Sequence, residues 1–153
     1  MKTTTKTSKS PRQVRPERIV NDLPRTFTEA DFPVGSVAHQ GDVILVRLAG
    51  LPDGAESRNN RQMAIGETRG SRHMLAIGAA FDCPLRNVSQ AIGRLTGSSV
   101  GEQYIGPVFQ TVAGLASLLH PEHGHHHYEG KMTIACVYQR NLDAEEREHR
   151  VLD

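Results

Sequence analysis

Met132-Thr133-Ile134-Ala135-Cys136-Val137-Tyr138-Gln139 is the stretch that decides the fold class. Three of its eight residues are β-branched and one is aromatic, and the run is too short for an ordinary helix. It therefore reads as a strand. A second run of the same kind, Val43-Ile44-Leu45-Val46-Arg47-Leu48, follows the turn signal Gln40-Gly41-Asp42 and reads the same way. Between and after these come Pro52, Asp53-Gly54 and Asn59-Asn60, which mark a loop. Arg61–Thr68 and Arg72–Ala79 form a predicted hairpin around Gly70-Ser71. Val108–Val112 is a further predicted strand, and Leu115–Leu119 suits either a strand or a helical turn.

Residues 82–97 carry a helical pattern, and the tail, residues 141–153, which lies outside the residues described below, is charged and helix-permissive. Leu85, Val88, Ile92 and Leu95 fall near helical spacing, Pro84 suits a first turn and Gly97 a stop. Gly93 and the β-branched Val88 and Ile92 weaken that helix without removing it. Many short strands separated by turn signals give a mostly β body, a small barrel or sandwich with one short helix.

The 153 residues suit one domain with a tail. The net charge of +1 is unevenly placed. Residues 1–20 hold Lys2, Lys6, Lys9, Arg12, Arg15 and Arg18 against Glu17, a local +5; the remaining 12 basic and 16 acidic residues leave −4. The organisation read from this is a basic, extended arm over residues 1–35 and a compact body over 36–153. The arm's Thr/Lys/Arg-rich opening has almost nothing to bury, and Pro24 and Pro33 favour an extended path. Six basic side chains there are candidates for contact with neighbouring subunits or with nucleic-acid phosphate. Two cysteines make no disulfide framework. No apolar run reaches the roughly 20 residues of a membrane span, and the first 20 lack a signal-peptide core. The expectation is a chain made in the cytoplasm, with no membrane partner, that can end in a virion.

Catalytic motifs do not hold together. Gly97-Ser98-Ser99-Val100-Gly101 matches G-x-S-x-G, but Gly106 and Pro107 follow where a nucleophile elbow needs a helix. His120-Pro121-Glu122 matches the H-x-E of zinc deaminases, but Cys136 stands alone where P-C-x-x-C is needed. No residue is assigned a catalytic role. What remains is LHPEHGHHHY, residues 119–128, with five of the chain's eight histidines. A metal reading takes His73, His120, Glu122 and His123 as ligands, with zinc the first choice of ion, since a turn can aim two imidazoles at one cation. The plain reading is a solvated, His-rich turn that holds no cofactor.

The body resembles a family of small, uncharacterised bacterial and phage-encoded proteins. The residues that carry the resemblance are Gln40-Gly41-Asp42-Val43, Leu51-Pro52-Asp53-Gly54-Ala55, Gly66-Glu67, His73, His120-Pro121-Glu122-His123-Gly124, Gln139-Arg140 and Val151-Leu152-Asp153, in order from about residue 40 to the C-terminus. It implies a compact, mostly β body in which the segment before His120 is a strand. It brings no known activity. Where the family shows T-G-H-A-H, this chain has Arg69-Gly70-Ser71-Arg72-His73, and where the family continues from HPEHG with an apolar segment, this chain has His125-His126-His127. With an extended basic arm, a β-rich body and no catalytic constellation, the expected function is that of a non-enzymatic structural or assembly protein, a phage virion component that stabilises or decorates a capsid and contacts other subunits through its arm. The alternatives are a transition-metal protein or metal-dependent enzyme built on the HPEHG histidines and, behind it, a non-specific nucleic-acid binder.

Overall fold

A computed structural model describes residues 23–65 and 72–139. Within them eleven strands build two sheets that face each other, with a helix on the outside of one. The strands are β1 (Arg25–Thr28), β2 (Val37–Gln40), β3 (Val43–Leu48), β4 (Glu56–Ser57), β5 (Gln62–Ile65), β6 (Arg72–Ile77), β7 (Ala79–Asp82), β8 (Ile105–Gln110), β9 (Leu115–Leu119), β10 (His126–Glu129) and β11 (Thr133–Tyr138). One sheet has the order β1-β10-β9-β6-β5, the other β2-β3-β11-β8-β7-β4. Neither closes on itself, so the body is a sandwich and not a barrel.

The strand read from MTIACVYQ sits centrally in the six-stranded sheet, between β3 and β8. Its side chains alternate between two cores. Ile134 and Cys136 enter the core between the sheets, with Val43, Leu45, Phe109, Leu118 and Tyr128. Ala135 and Val137 enter a second core, with Val46, Leu48 and Val108, against the helix. Burial on both faces is why the run has no polar alternation. The helix, α1 (Leu85–Thr96), seats Val88 and Ile92 on this layer and stops at Gly97, whose φ of 76° forms a left-handed cap. The predicted helix is therefore present with the predicted start and stop. Gly97–Gly101 follows the helix as a loop, the reverse of the strand-to-helix order that a nucleophile elbow needs.

The predicted hairpin is present as the antiparallel pair β5–β6; its Gly70-Ser71 turn lies outside the described residues. Gly78, at φ 133°, then ends β6, and the next residues pair in the other sheet as β7. Leu115–Leu119 is a strand. It is reached from β8 through Ala113-Gly114, both at positive φ (52° and 81°), as a two-residue type I′ turn requires.

Residues 23–35, which composition groups with the arm, are part of the body. β1 pairs parallel to β10, and Phe27 and Phe32 are buried against Tyr128. Arg47 pins this segment by donating to the carbonyls of Phe32 (2.8 Å) and Lys131 (3.2 Å). That closes one end of the sandwich; the polar residues described next close the other.

Candidate functional site

At the opposite end Gln40, 1% exposed, crosses from the end of β2 to the other sheet. Its Nε2 donates to the carbonyls of Leu118 (2.9 Å) and Gly124 (3.0 Å). Carbonyl oxygens only accept, so the atom facing them must be the amide nitrogen, and Oε1 must be the atom that lies 2.9 Å from His73 Nδ1. That nitrogen therefore carries the ring hydrogen and donates it. Its other ring nitrogen, Nε2, lies 3.2 Å from Asp42 Oδ1. His73 is fully buried and Asp42 nearly so, so the pair works in a dry, low-dielectric setting where an unshared charge would be costly.

The HPEHG turn packs onto this pair. The His120 ring is 4.4 Å from that of His73, and the His123 ring 4.6 Å from that of His120, centroid to centroid. His120 is 3% exposed, and its Nδ1 accepts the backbone N–H groups of Glu122 (3.0 Å) and His123 (3.1 Å). The imidazole thus does for this turn what an Asn or Asp side chain does in an Asx turn. The Glu122 side chain points to solvent. Gly41, between Gln40 and Asp42, lets the His123 ring lie against the backbone: a Cβ there would come within 2.7 Å of its Cδ2. Gln139 completes the cluster, its Nε2 donating to the Gly41 carbonyl and its N–H to that of Asp42.

Gly41→Ala should therefore lose about 2 kcal/mol of stability, the sum of a left-handed backbone (φ 60°) and a displaced ring. Gly97→Ala is the control. It also has a positive φ but nothing within 4 Å of its Cβ, and should lose only the backbone part, about 1 kcal/mol. Urea denaturation gives both values, and the His123 ring resonances should move in the first variant alone.

Of the four residues named as metal ligands, three imidazoles are brought together and Glu122 is not. Among the described residues no three His, Cys, Asp or Glu side chains converge as ligands to one ion. Donor chemistry bears on the part His120 could play. A ligating histidine ordinarily donates its second ring N–H to an acceptor; His120 instead uses that nitrogen to accept two N–H groups, which would leave a metal-bound ring without a hydrogen. The arm residues Lys2, Lys6, Lys9, Arg12, Arg15 and Arg18 lie outside the described residues.

The remaining histidines of LHPEHGHHHY are not a solvated turn. His126–Glu129 is a strand, with His126 (2% exposed) and Tyr128 directed into the core. His126 Nδ1 lies 3.0 Å from the Tyr128 hydroxyl. Burial, with help from Arg25, His73 and His127, lowers the His126 pKa to about 3, so this ring is neutral. Nothing in its sequence neighbourhood marks His126 as a core residue except its even spacing from Tyr128. Cys136 is fully enclosed and its thiol is pushed up to about 12 by burial, which makes it unreactive. Ser117 Oγ lies 2.8 Å from His127 Nδ1, the spacing of a nucleophile and its base. The two are direct cross-strand partners in the β9–β10 ladder, however, and Ser117 is 4% exposed. The contact is a cross-strand hydrogen bond of the sheet.

A third feature lies on the outer face of the five-stranded sheet. Met74 pairs with Leu119, and Ile77 with Ser117, so all four share that face, as does Leu115 by alternation. Val112 stands opposite Leu115 in the turn. Met74, Ile77 and Val112 are 38%, 41% and 49% exposed. The helix covers the other sheet, and no described element covers this one.

No described helix is long and apolar enough to cross a membrane. Among curated proteins and among solved structures nothing matches this chain. A family model does match, over residues 39–131, a span that takes in Gln40, Asp42, His73 and the whole HPEHG turn. The chain belongs to that family, described as a domain of unknown function, DUF8820.

Proposed function

We propose that this protein is a non-enzymatic assembly subunit, of the capsid-stabilising or decorating kind found in phage virions, and that it joins its neighbours through the outer face of the five-stranded sheet. The observation that carries the reading is the contrast between the two sheets: α1 covers one, which leaves Val37 exposed on its edge strand, and the other has no described cover and presents Met74 and Ile77, with Val112 in the turn beside them, to solvent. Exposed apolar side chains grouped on one flat face mark a contact surface. The polar cluster supports the same reading from the other side. His73, Gln40 and His120 are buried and their hydrogen bonds serve the fold. The basic arm is the natural second contact, with subunits or with packaged nucleic acid.

The test is composition of particles. Virions purified by density gradient from the phage or induced prophage that encodes this chain should contain it at a fixed ratio to the major capsid protein, by quantitative mass spectrometry. A chain found at full level in the host lysate and absent from the particles would refute the virion reading.

A further inference from the structure

We infer that the outer face of the five-stranded sheet pairs with the same face of a second copy of this chain, about a two-fold axis that runs across the strands near Ile77. The inference rests on the reading of that face as an assembly surface and names its partner. Charge placement carries it. Arg72, the first residue of β6, lies on the outer face two positions before Met74. Glu129, the last residue of β10, lies on the same face two positions after His127. Both are exposed, and neither has an ion-pair partner among the described residues. Because β6 and β10 both run antiparallel to β9, Arg72 is at one end of the face and Glu129 at the other. The strand spacings put roughly 20 Å between them along the strands and about 10 Å across.

An isologous contact places residue i on j and j on i. A two-fold axis parallel to the strands would set like ends together, Arg72 near Arg72. An axis across the strands sets Arg72 of each copy on Glu129 of the other, twice per dimer. The same operation carries Ile77 close to its own equivalent and brings Met74 over the Leu115 region of the second copy, so the apolar residues meet while both charges are matched. Five strands of four to six residues give a face of roughly 20 by 20 Å. That buries about 800 Å² over both copies, below the size of a standard specific interface, so the pair is a weak and reversible one.

Sedimentation equilibrium of the full chain between about 1 and 300 μM tests this. The expected result is a monomer–dimer equilibrium. Ile77→Lys should weaken it about tenfold or more with little change in melting temperature. Arg72→Glu should weaken it about tenfold, and Arg72→Glu/Glu129→Arg should restore it. A chain that stays monomeric throughout the range overturns the inference, and so does a dimer that Ile77→Lys leaves intact. A dimer whose charge-swapped form is no tighter than Arg72→Glu refutes the axis. The two proposals fail separately. A monomeric chain found in virions would keep the assembly role and remove the self-pairing; a dimer absent from virions would do the reverse.

Discussion

Gln40→Leu is expected to leave the protein unable to fold at ordinary temperature, although it exchanges a side chain for an apolar one of similar size at a buried position. The loss is in what Gln40 holds. Its amide nitrogen serves the carbonyls of Leu118 and Gly124, and its oxygen receives the His73 hydrogen. Leucine strands all three groups in a site where Gln40 is 1% and His73 0% exposed. A buried polar group without a partner costs about 1–3 kcal/mol. Three of them, less about 1–2 kcal/mol gained from the apolar side chain, sum to roughly 1–8 kcal/mol, with a midpoint of about 4–5 kcal/mol. That is comparable with the whole stability of a domain this size. Urea unfolding or, failing soluble protein, the fraction recovered soluble at low temperature measures it. A loss under about 1 kcal/mol would mean that water or a rearranged turn takes over the three contacts.

Gln40→Glu separates this account from a general intolerance of change. The acid keeps an oxygen for His73 but turns the second oxygen toward two carbonyls, which can only repel it. Protonation of that oxygen restores one donor. The variant should therefore be less stable than wild type at pH 8 and closer to it at pH 5, with the two proteins compared at equal pH.

How far the sequence announces this architecture depends on how local the cause is. MTIACVYQ and VILVRL are strands by composition alone, because burial on both faces selects apolar and β-branched residues at most positions, Arg47 and Gln139 being the exceptions. The 85–96 helix is legible because both its ends are punctuated, by Pro84 and Gly97. Strand β10 is hidden because His-His-Tyr-Glu carries no apolar alternation; its inward residues are a neutral histidine and a tyrosine that share a hydrogen bond. β6 and β7 run together in the sequence as one apolar stretch, and only the φ of 133° at Gly78, where a side chain would press on the Gln110 carbonyl and Leu75, divides them between sheets. The Gln40 clasp is the least legible element. A glutamine before Gly-Asp looks like part of an exposed turn, and its partners lie 78 and 84 residues away. Of the residues that carry the family resemblance, Gln40-Gly41-Asp42, His73, HPEHG and Gln139 meet in space at one end of the sandwich. Their meeting point is buried and hydrogen-bonded, and spacing in the sequence does not reveal it.

Acid should destabilise the protein through His126. Its native pKa is lowered to about 3, with burial the main cause and Arg25, His73 and His127 adding to it, against 6.5 in the unfolded chain. The unfolded state thus binds a proton below pH 6.5 that the native state refuses until about pH 3. Stability is unaffected by this group above pH 6.5 and falls as pH drops through the window between the two values, by about 1.4 kcal/mol per pH unit once well below 6.5. Between pH 6.5 and 4.5 the loss from this residue alone is roughly 2–3 kcal/mol. The double variant His126→Leu/Tyr128→Phe removes the titrating ring together with the hydroxyl it bonds, 3.0 Å away, so no buried polar atom is left behind. Its stability at pH 7 will differ from wild type for reasons of packing against Phe27, whose ring centroid lies 5.2 Å from that of His126. Its slope with pH will not share those reasons. Unfolding by urea at half-unit steps from pH 7 to 4.5 should give a curve flatter than wild type by one proton. Parallel curves would mean that His126 takes up a proton in the native state as readily as in the unfolded one, and that the core beneath Phe27 and Tyr128 admits a charge.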